Sequence, residues 1–304
     1  MYNSVIKKIM AMAVFVAIAS NALCQDNVSW WNSLSPAWKK IFRDQELKGR
    51  DVDPTEEQLA NIVNIEELNC SGNKQIEDLK PLARLTLLKS LDCSNTNISS
   101  LTGIETLRNL EYLNCSNNDN INSLIPVQTL ANLKEINCGN TMVKNLAPLR
   151  NLINLKKLDV HFCTVNNLNM ISELKSLTSL NVSQNQSLFG ISGVDRLTSL
   201  TDFDCSETSV RDLEPLKNAK NLETINCAET KIVTLRPLQS VRTLKEIDCS
   251  GTRISAASLD YLHSHMRLTM LRARRIDVTQ KQIDDFTKSF SINHVNCDVI
   301  ITTK

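Results

Sequence analysis

Leu88-Lys89-Ser90-Leu91-Asp92-Cys93-Ser94-Asn95-Thr96-Asn97-Ile98 decides the fold. Leu91 and Cys93 alternate with Asp92 at period two, so an extended chain sends the first two to one face and Asp92 to the other. A strand this short cannot bury that face alone. The same stretch recurs at Leu110–Cys115, Leu133–Cys138, Leu222–Cys227 and Leu244–Cys249. The Cys position is held in turn by Cys70, Cys93, Cys115, Cys138, Val160, Val182, Cys205, Cys227 and Cys249, at steps of 22 or 23 residues. Ala273 and Cys297 follow, each 24 residues on, which makes eleven candidate strands. Stacked in parallel at about 4.8 Å they give one continuous core and an arc of roughly 50 Å. Leu79-Lys80-Pro81-Leu82, Leu146-Ala147-Pro148-Leu149, Leu213-Glu214-Pro215-Leu216 and Leu235-Arg236-Pro237-Leu238 lie on the return segments. Proline fixes φ and lacks an N–H, which suits the first position of a short helical turn. The repeats are too short for full helices, so 3₁₀ turns are expected on the convex side.

The repeat resembles the leucine-rich repeat family, whose pattern is L-x-x-L-x-L-x-x-N/C-x-L. The period and the Leu-x-Pro-Leu segments are most similar to the short bacterial internalin-type class. The resemblance covers about residues 65–297. Trp30, Trp31, Trp38 and Phe42 are also similar to the helical cap of secreted leucine-rich proteins of gut Bacteroidetes. It implies an α/β solenoid, curved, with a parallel β-sheet on the concave face, short 3₁₀ or helical turns on the convex face and a helical N-terminal cap. It also implies protein recognition through the concave face.

The family's Asn position is held by Asn73, Asn118 and Asn185 in the three repeats of 23 residues, and by Thr or Cys163 in the others. After Asn the next inward residue comes three positions on, as at Ile76, Ile121 and Leu188; after Thr or Cys163 it comes two on, as at Ile98 and Val165. Asn is therefore expected to bond the backbone of a wider turn, and Thr to close a tighter one.

The ends must hide an open core. Residues 25–64 read as the cap. Ser35-Pro36 opens a helix through Trp38, Ile41 and Phe42, and Thr55-Glu56-Glu57-Gln58 reads as a capping box. Residues 65–304 form the repeat domain, with a C-terminal cap from about 255. There Ser258–Met266 and Thr279–Phe290 have helical spacing, with Ile283 and Phe286 inward. Before the cap, Lys7 and Lys8 precede eleven apolar residues, Ile9–Ala19, and then the small residues Ser20 and Ala22. This is the form of a secretory signal peptide over residues 1–24, cleaved after Ala22 or after Cys24. Eleven residues are too few to span a bilayer core of roughly 30 Å. Cys24 raises a second reading, a lipid anchor on an envelope-associated structural component, although that motif takes Gly, Ala or Ser before the Cys and Leu23 stands there. The sequence thus places the chain outside the cytoplasm, periplasmic, at the cell surface or secreted, with membrane association only through Cys24.

Ten Cys among 304 residues would suit bridges in an exported protein. In-register neighbours about 4.8 Å apart do not offer the Cβ separation near 3.8 Å that a disulfide takes. Buried free thiols are the expectation. No C-x-x-C pair, P-loop, G-x-S-x-G or H-E-x-x-H occurs, and His263-Ser264-His265 reads as a solvated helix end. The reading is a monomeric, non-catalytic module with no cofactor and no metal. A net charge of +1 gives no bulk attraction to nucleic acid.

The strand position between the inward residues holds Asn69, Asp92, Asn114, Asn137, Asp159, Asn181, Asp204, Asn226 and Asp248, then Arg272 and Asn296. A polar row of this kind also serves merely to solvate the sheet. Its functional reading is a partner-binding face. The later repeats gather Asp202, Asp204, Glu207, Glu229, Glu246 and Asp248 beside Arg272, an acidic patch for a basic protein or peptide. Tyr112 and the His161–Phe162 pair are its apolar anchors, since aromatics dominate binding hot spots.

Overall fold

The computed structural model describes residues 26–303 apart from Val295. Residues 1–24, read from the sequence as a signal peptide, and with them Cys24, lie outside the described residues. Helical residues 26–33 (α1), α2 (Pro36–Glu46) and α3 (Glu56–Val63) lead into eleven strands. These are β1 (Glu67–Asn69), β2 (Ser90–Asp92), β3 (Tyr112–Asn114), β4 (Glu135–Asn137), β5 (Lys157–Asp159), β6 (Ser179–Asn181), β7 (Asp202–Asp204), β8 (Thr224–Asn226), β9 (Glu246–Asp248), β10 (Met270–Ile276) and β11 (Asp298–Thr303). They pair in parallel, each with its neighbours in sequence, as one open sheet.

The register aligns the repeats as the sequence does. Leu68, Leu91, Leu113, Ile136, Leu158, Leu180, Phe203, Ile225, Ile247 and Leu271 form one inward column, almost wholly buried. The Cys/Val column lies beside it, also buried. Return segments carry 3₁₀ turns that open at proline in Lys80–Arg84, Ile125–Thr129, Ala147–Leu149, Glu214–Leu216 and Arg236–Ser240.

The turn after each strand comes in two forms, as the Asn/Thr alternation predicts. In the Thr form the hydroxyl donates to the carbonyl three residues back, as from Thr96 to Cys93 at 2.9 Å and from Thr208 to Cys205 at 2.6 Å. In the Asn form the wider turn closes through its own backbone, with Leu188 N–H donating to Asn185 O at 3.0 Å. The amide of Asn185 donates to Val160 O, Val182 O and Ser183 O at 2.9, 2.9 and 3.2 Å, and its Oδ1 accepts from Val165 N–H at 2.8 Å. The Asn side chain therefore sews its repeat to the preceding one. Cys163 does the same in part: its thiol donates to Cys138 O at 3.2 Å.

At the start, Trp31, Trp38 and Phe42 are buried against the first repeat. Trp30 and Trp38 donate their indole N–H groups to Pro81 O and Asp78 O, at 3.1 and 3.2 Å. Ser35 caps α2, and the capping box of Thr55 and Gln58 is complete.

The other end departs from the sequence reading at three points. β11 pairs Val299 with Leu271 and Ile301 with Ala273, so Ile301 rather than Cys297 continues the inward column. Cys297 and Asn296 precede the strand, and Ile300 takes the outward position beside Arg272. The cause is α5 (Gln280–Ser291), which lengthens the last connection beyond the repeat period. Its faces are as expected, with Ile283, Phe286 and Phe290 buried. The second departure is Ser258–Met266. It is not one helix but α4 (Ala256–Leu259) followed by a 3₁₀ turn, Asp260–Leu262. The third follows from it. His265 is not solvated but fully buried, with Nε2 and Nδ1 at 2.9 and 3.2 Å from Leu238 O and Leu262 O. Burial pulls its pKa below the ordinary value.

The nine described cysteines are free thiols, seven of them buried in the ladder. Desolvation disfavours the thiolate and pushes Cys70 and Cys115 up to about 12. A disulfide-exchange dye at pH 8 is therefore expected to leave the seven ladder thiols unmodified until guanidinium unfolds the chain, while Cys163 and Cys297 react slowly. Rapid native labelling of the ladder thiols would contradict this packing.

Candidate functional site

The outward strand residues have a local duty first. In all nine repeats the Oδ1 of the Asn or Asp accepts the backbone N–H two residues on, from Asn69–Ser71 to Asp248–Ser250, at 2.8–3.2 Å. This Asx bond ends each strand and starts its turn. Asn and Asp serve it equally, so the Asp at 92, 159, 204 and 248 adds a charge that the turn does not require. Two rungs also bond sideways, Asn114 Nδ2 to Asp92 Oδ2 at 3.1 Å and Asn226 Nδ2 to Asp204 Oδ2 at 2.9 Å.

Three residues beyond this row lies a second. Gly72, Asn95, Asn117, Asn140, Phe162, Gln184, Glu207, Glu229 and Gly251 all have positive φ, between 47° and 73°. Each donates its N–H to a carbonyl of the next repeat, at 2.7–3.0 Å. The ladder thus imposes the left-handed conformation whatever the side chain. Gly adopts it freely and Asn readily; a bulky aromatic is disfavoured there. Phe162 stands in it with φ 47° and is 58% exposed.

Repeat 5 departs from the pattern around that residue. The position before the left-handed residue is Ser, Gly or Ala in every other repeat of the row, and His161 in this one. Its Nδ1 lies 2.8 Å from Asp159 Oδ1. The ring occupies the space a side chain on Gly139 would need: a Cβ there would sit 2.2 Å from Cε1 and Nδ1 of His161. Gly139 is therefore what admits the imidazole. Phe162, Cys163, Met142, Thr164, Gln184 and Gln186 are among the residues lining a depression of about 480 Å³ on this edge.

The structure brings together only some of the residues singled out by sequence. Asp202 and Glu246 lie two strands apart in one outward row, with Thr224 between them. Asp204, Asn226, Asp248 and Arg272 are consecutive in the other. Glu207 and Glu229 are at the turn edge, not on the strand face. Glu229 is paired with Arg275, which sequence reasoning missed because the partners are 46 positions apart. Glu207 accepts a bond from Gln184 Nε2 at 3.3 Å. Tyr112 is remote from the acidic group: it lines an open groove of about 630 Å³ with Ile41, Gln45, Glu67 and Asp92, between α2 and the first strands. Burial, then Asp92 and Glu135, raises its phenol pKa. Among the described residues no cluster of three or more His, Cys, Asp or Glu forms a metal site, and no helix is long and apolar enough to cross a membrane.

Residues 87–185, about a third of the chain, match the family model of the leucine-rich repeat domain of the endo-β-N-acetylglucosaminidase EndoS. No curated protein sequence matches. Among solved structures, an internalin, InlF, from Listeria monocytogenes superposes with a TM-score of 0.67 at 20% identity, over 88% of this chain and 89% of that one. The functional domain of InlJ from the same organism, described as including a cysteine ladder, gives 0.58 at 23% identity, over 73% and 56% of the two chains. A plant peptide hormone receptor, RGFR1, in complex with RGF2 gives 0.57 at 17% identity, over 79% and 38%.

Proposed function

We propose that this leucine-rich repeat solenoid is an exported, non-catalytic recognition module. Solenoids of this class present extended concave surfaces to protein ligands. The partner in this reading is a protein or peptide with basic groups. It lies along the strand face of β5 to β10, held at the turn edge by Phe162 and His161 and drawn in by Asp202, Asp204, Glu246 and Asp248. Phe162 carries the reading. An exposed aromatic held in a left-handed turn serves no packing purpose, and such strain collects at functional positions. The plant receptor complex supports the class of ligand, and the pattern of residues 1–24 supports export.

The acidic half of the surface is tested without disturbing the turns. Asp204→Asn with Asp248→Asn keeps both Oδ1 acceptors and removes two charges. With a partner captured by crosslinking from extract, the double variant is expected to bind several-fold more weakly at low salt, mainly through slower association, and with a flatter salt dependence. Unchanged affinity and salt dependence would remove the acidic patch from the interface. Charge reversal is a poorer probe, because Lys cannot accept the Asx bond.

A further inference from the structure

Beyond the turn edge of repeats 7 to 9 lies a cluster of the opposite charge. Lys231 N–H donates to Val210 O at 2.8 Å and Arg253 N–H to Ile232 O at 3.0 Å. These bonds set Ser209, Lys231 and Arg253 in one row on successive repeats, with Arg211 and Val233 in the next. The five residues line a depression of about 500 Å³. All three cations are exposed, and none has an acidic partner among the described residues. The contrast is local: beside the strands Lys245 pairs with Glu223 at 2.6 Å, and at the turn edge Glu229 pairs with Arg275 of β10. The nearest acid in sequence, Asp212, uses its Oδ1 to accept from Glu214 N–H at 2.9 Å. Arg211 lies 5.7 Å over the ring of Phe189, which holds its guanidinium beside the depression. Val233 and Phe189 are each 57% exposed.

We propose that this flank is a second binding site, for an extended acidic peptide segment that presents two carboxylates and an apolar side chain on one face. Two guanidinium groups offer bidentate pairing to carboxylates, and the ammonium adds a third charge-assisted contact. Repeats are about 4.8 Å apart, so the cations span roughly 10 Å; side chains at alternate positions of an extended peptide recur about every 7 Å. Two carboxylates at alternate positions therefore fit among the three cations, with the next side chain on that face about 7 Å further on. Val233, set among the cations, and Phe189 beside Arg211 give an apolar side chain on that same face a contact, while the intervening side chains point away. A sulfated sugar chain, hydrophilic at every unit, would leave that contact unused. The site goes beyond the strand-face reading and rests on other residues, so each stands or falls alone.

Fluorescence anisotropy tests it, with a labelled peptide that has Glu, Glu and Val at alternate positions and Ser between them, and the same peptide with Gln for Glu. The acidic peptide is expected to bind and the Gln peptide not to. The triple variant Arg211→Gln, Lys231→Gln, Arg253→Gln is expected to bind at least about tenfold more weakly, while Asp204→Asn with Asp248→Asn leaves this binding unchanged. Circular dichroism melting checks that the triple variant folds. If it does not, the single Arg253→Gln replaces it, with an expected loss of about threefold. The proposal is overturned if the acidic peptide fails to bind, if the Gln peptide binds equally, if the variants bind as tightly as the parent chain, or if a sulfated oligosaccharide outcompetes the peptide at the same residues.

Discussion

Asn185→Ala is expected to lower the unfolding free energy by about 4 kcal/mol, read from the shift of a urea transition with its slope unchanged. The side chain is fully buried. Truncation orphans two carbonyls, Val160 and Val182, and the Val165 N–H, while Ser183 O keeps its bond from Phe162 N–H. Each buried unpaired backbone group costs about 1–3 kcal/mol, less than additively when neighbours relax together. Asn185→Thr should recover little, because a hydroxyl at this position reaches only the carbonyl three residues back, the bond Thr208 makes to Cys205. Asn73→Ala is the control. It has no preceding repeat to sew to, is half-buried, and its Oδ1 accepts only from Gln75 N–H, so a loss of under about 1 kcal/mol is expected. Equal losses at Asn73 and Asn185 would mean that the inter-repeat bonds contribute nothing.

That contrast shows what kind of information the sequence carries. The inward columns were legible because burial restricts residue type at every repeat, so Leu and Cys recur where nothing else packs. The two turn forms were legible because a change of type at the Asn position coincides with a change of repeat length. The outward row was read correctly as a surface but not as a set of Asx caps. Asp and Asn look alike for that duty, and the chain hides which oxygen faces which N–H. The left-handed row was not read at all. Gly72, the Asn residues and Gly251 hinted at it, but Phe162, Glu207 and Glu229 lie outside the residue types that signal positive φ. At the C-terminus the fixed period misled. Val299 and Ile301 alternate as Leu271 and Ala273 do, and this local period of two outweighs the longer count that pointed to Cys297.

A repeat protein fixes its backbone by neighbour-to-neighbour bonds, so a side chain can be unsuited to its own conformation and still be held there. For Phe162 the N–H bond to Ser183 O, at 2.9 Å, is one rung of a ladder running through nine repeats. Relaxing φ at Phe162 would break that rung and disturb the Asx cap of Asp159 just before it. The strain is therefore carried by the stack. An exposed ring gains little burial in return, so its contribution is sought in a complex rather than in the free chain.

Phe162→Asn separates the two. Asn occupies the same row at 95, 117 and 140, with φ between 53° and 56°, so the variant restores the local preference. The free protein is expected to gain about 1 kcal/mol, and Tm to rise by about 2–4 °C, because the left-handed penalty is relieved and only an exposed ring is lost. Partner affinity is expected to fall by about 30-fold, the scale of truncating an aromatic anchor at an interface centre. The opposite signs are the diagnostic. A ring that merely packed on its neighbours would lower stability when removed and leave binding nearly intact. Loss of Tm with unchanged affinity would therefore return Phe162 to the scaffold, whereas a gain in Tm with lost affinity makes it an anchor held ready by the ladder.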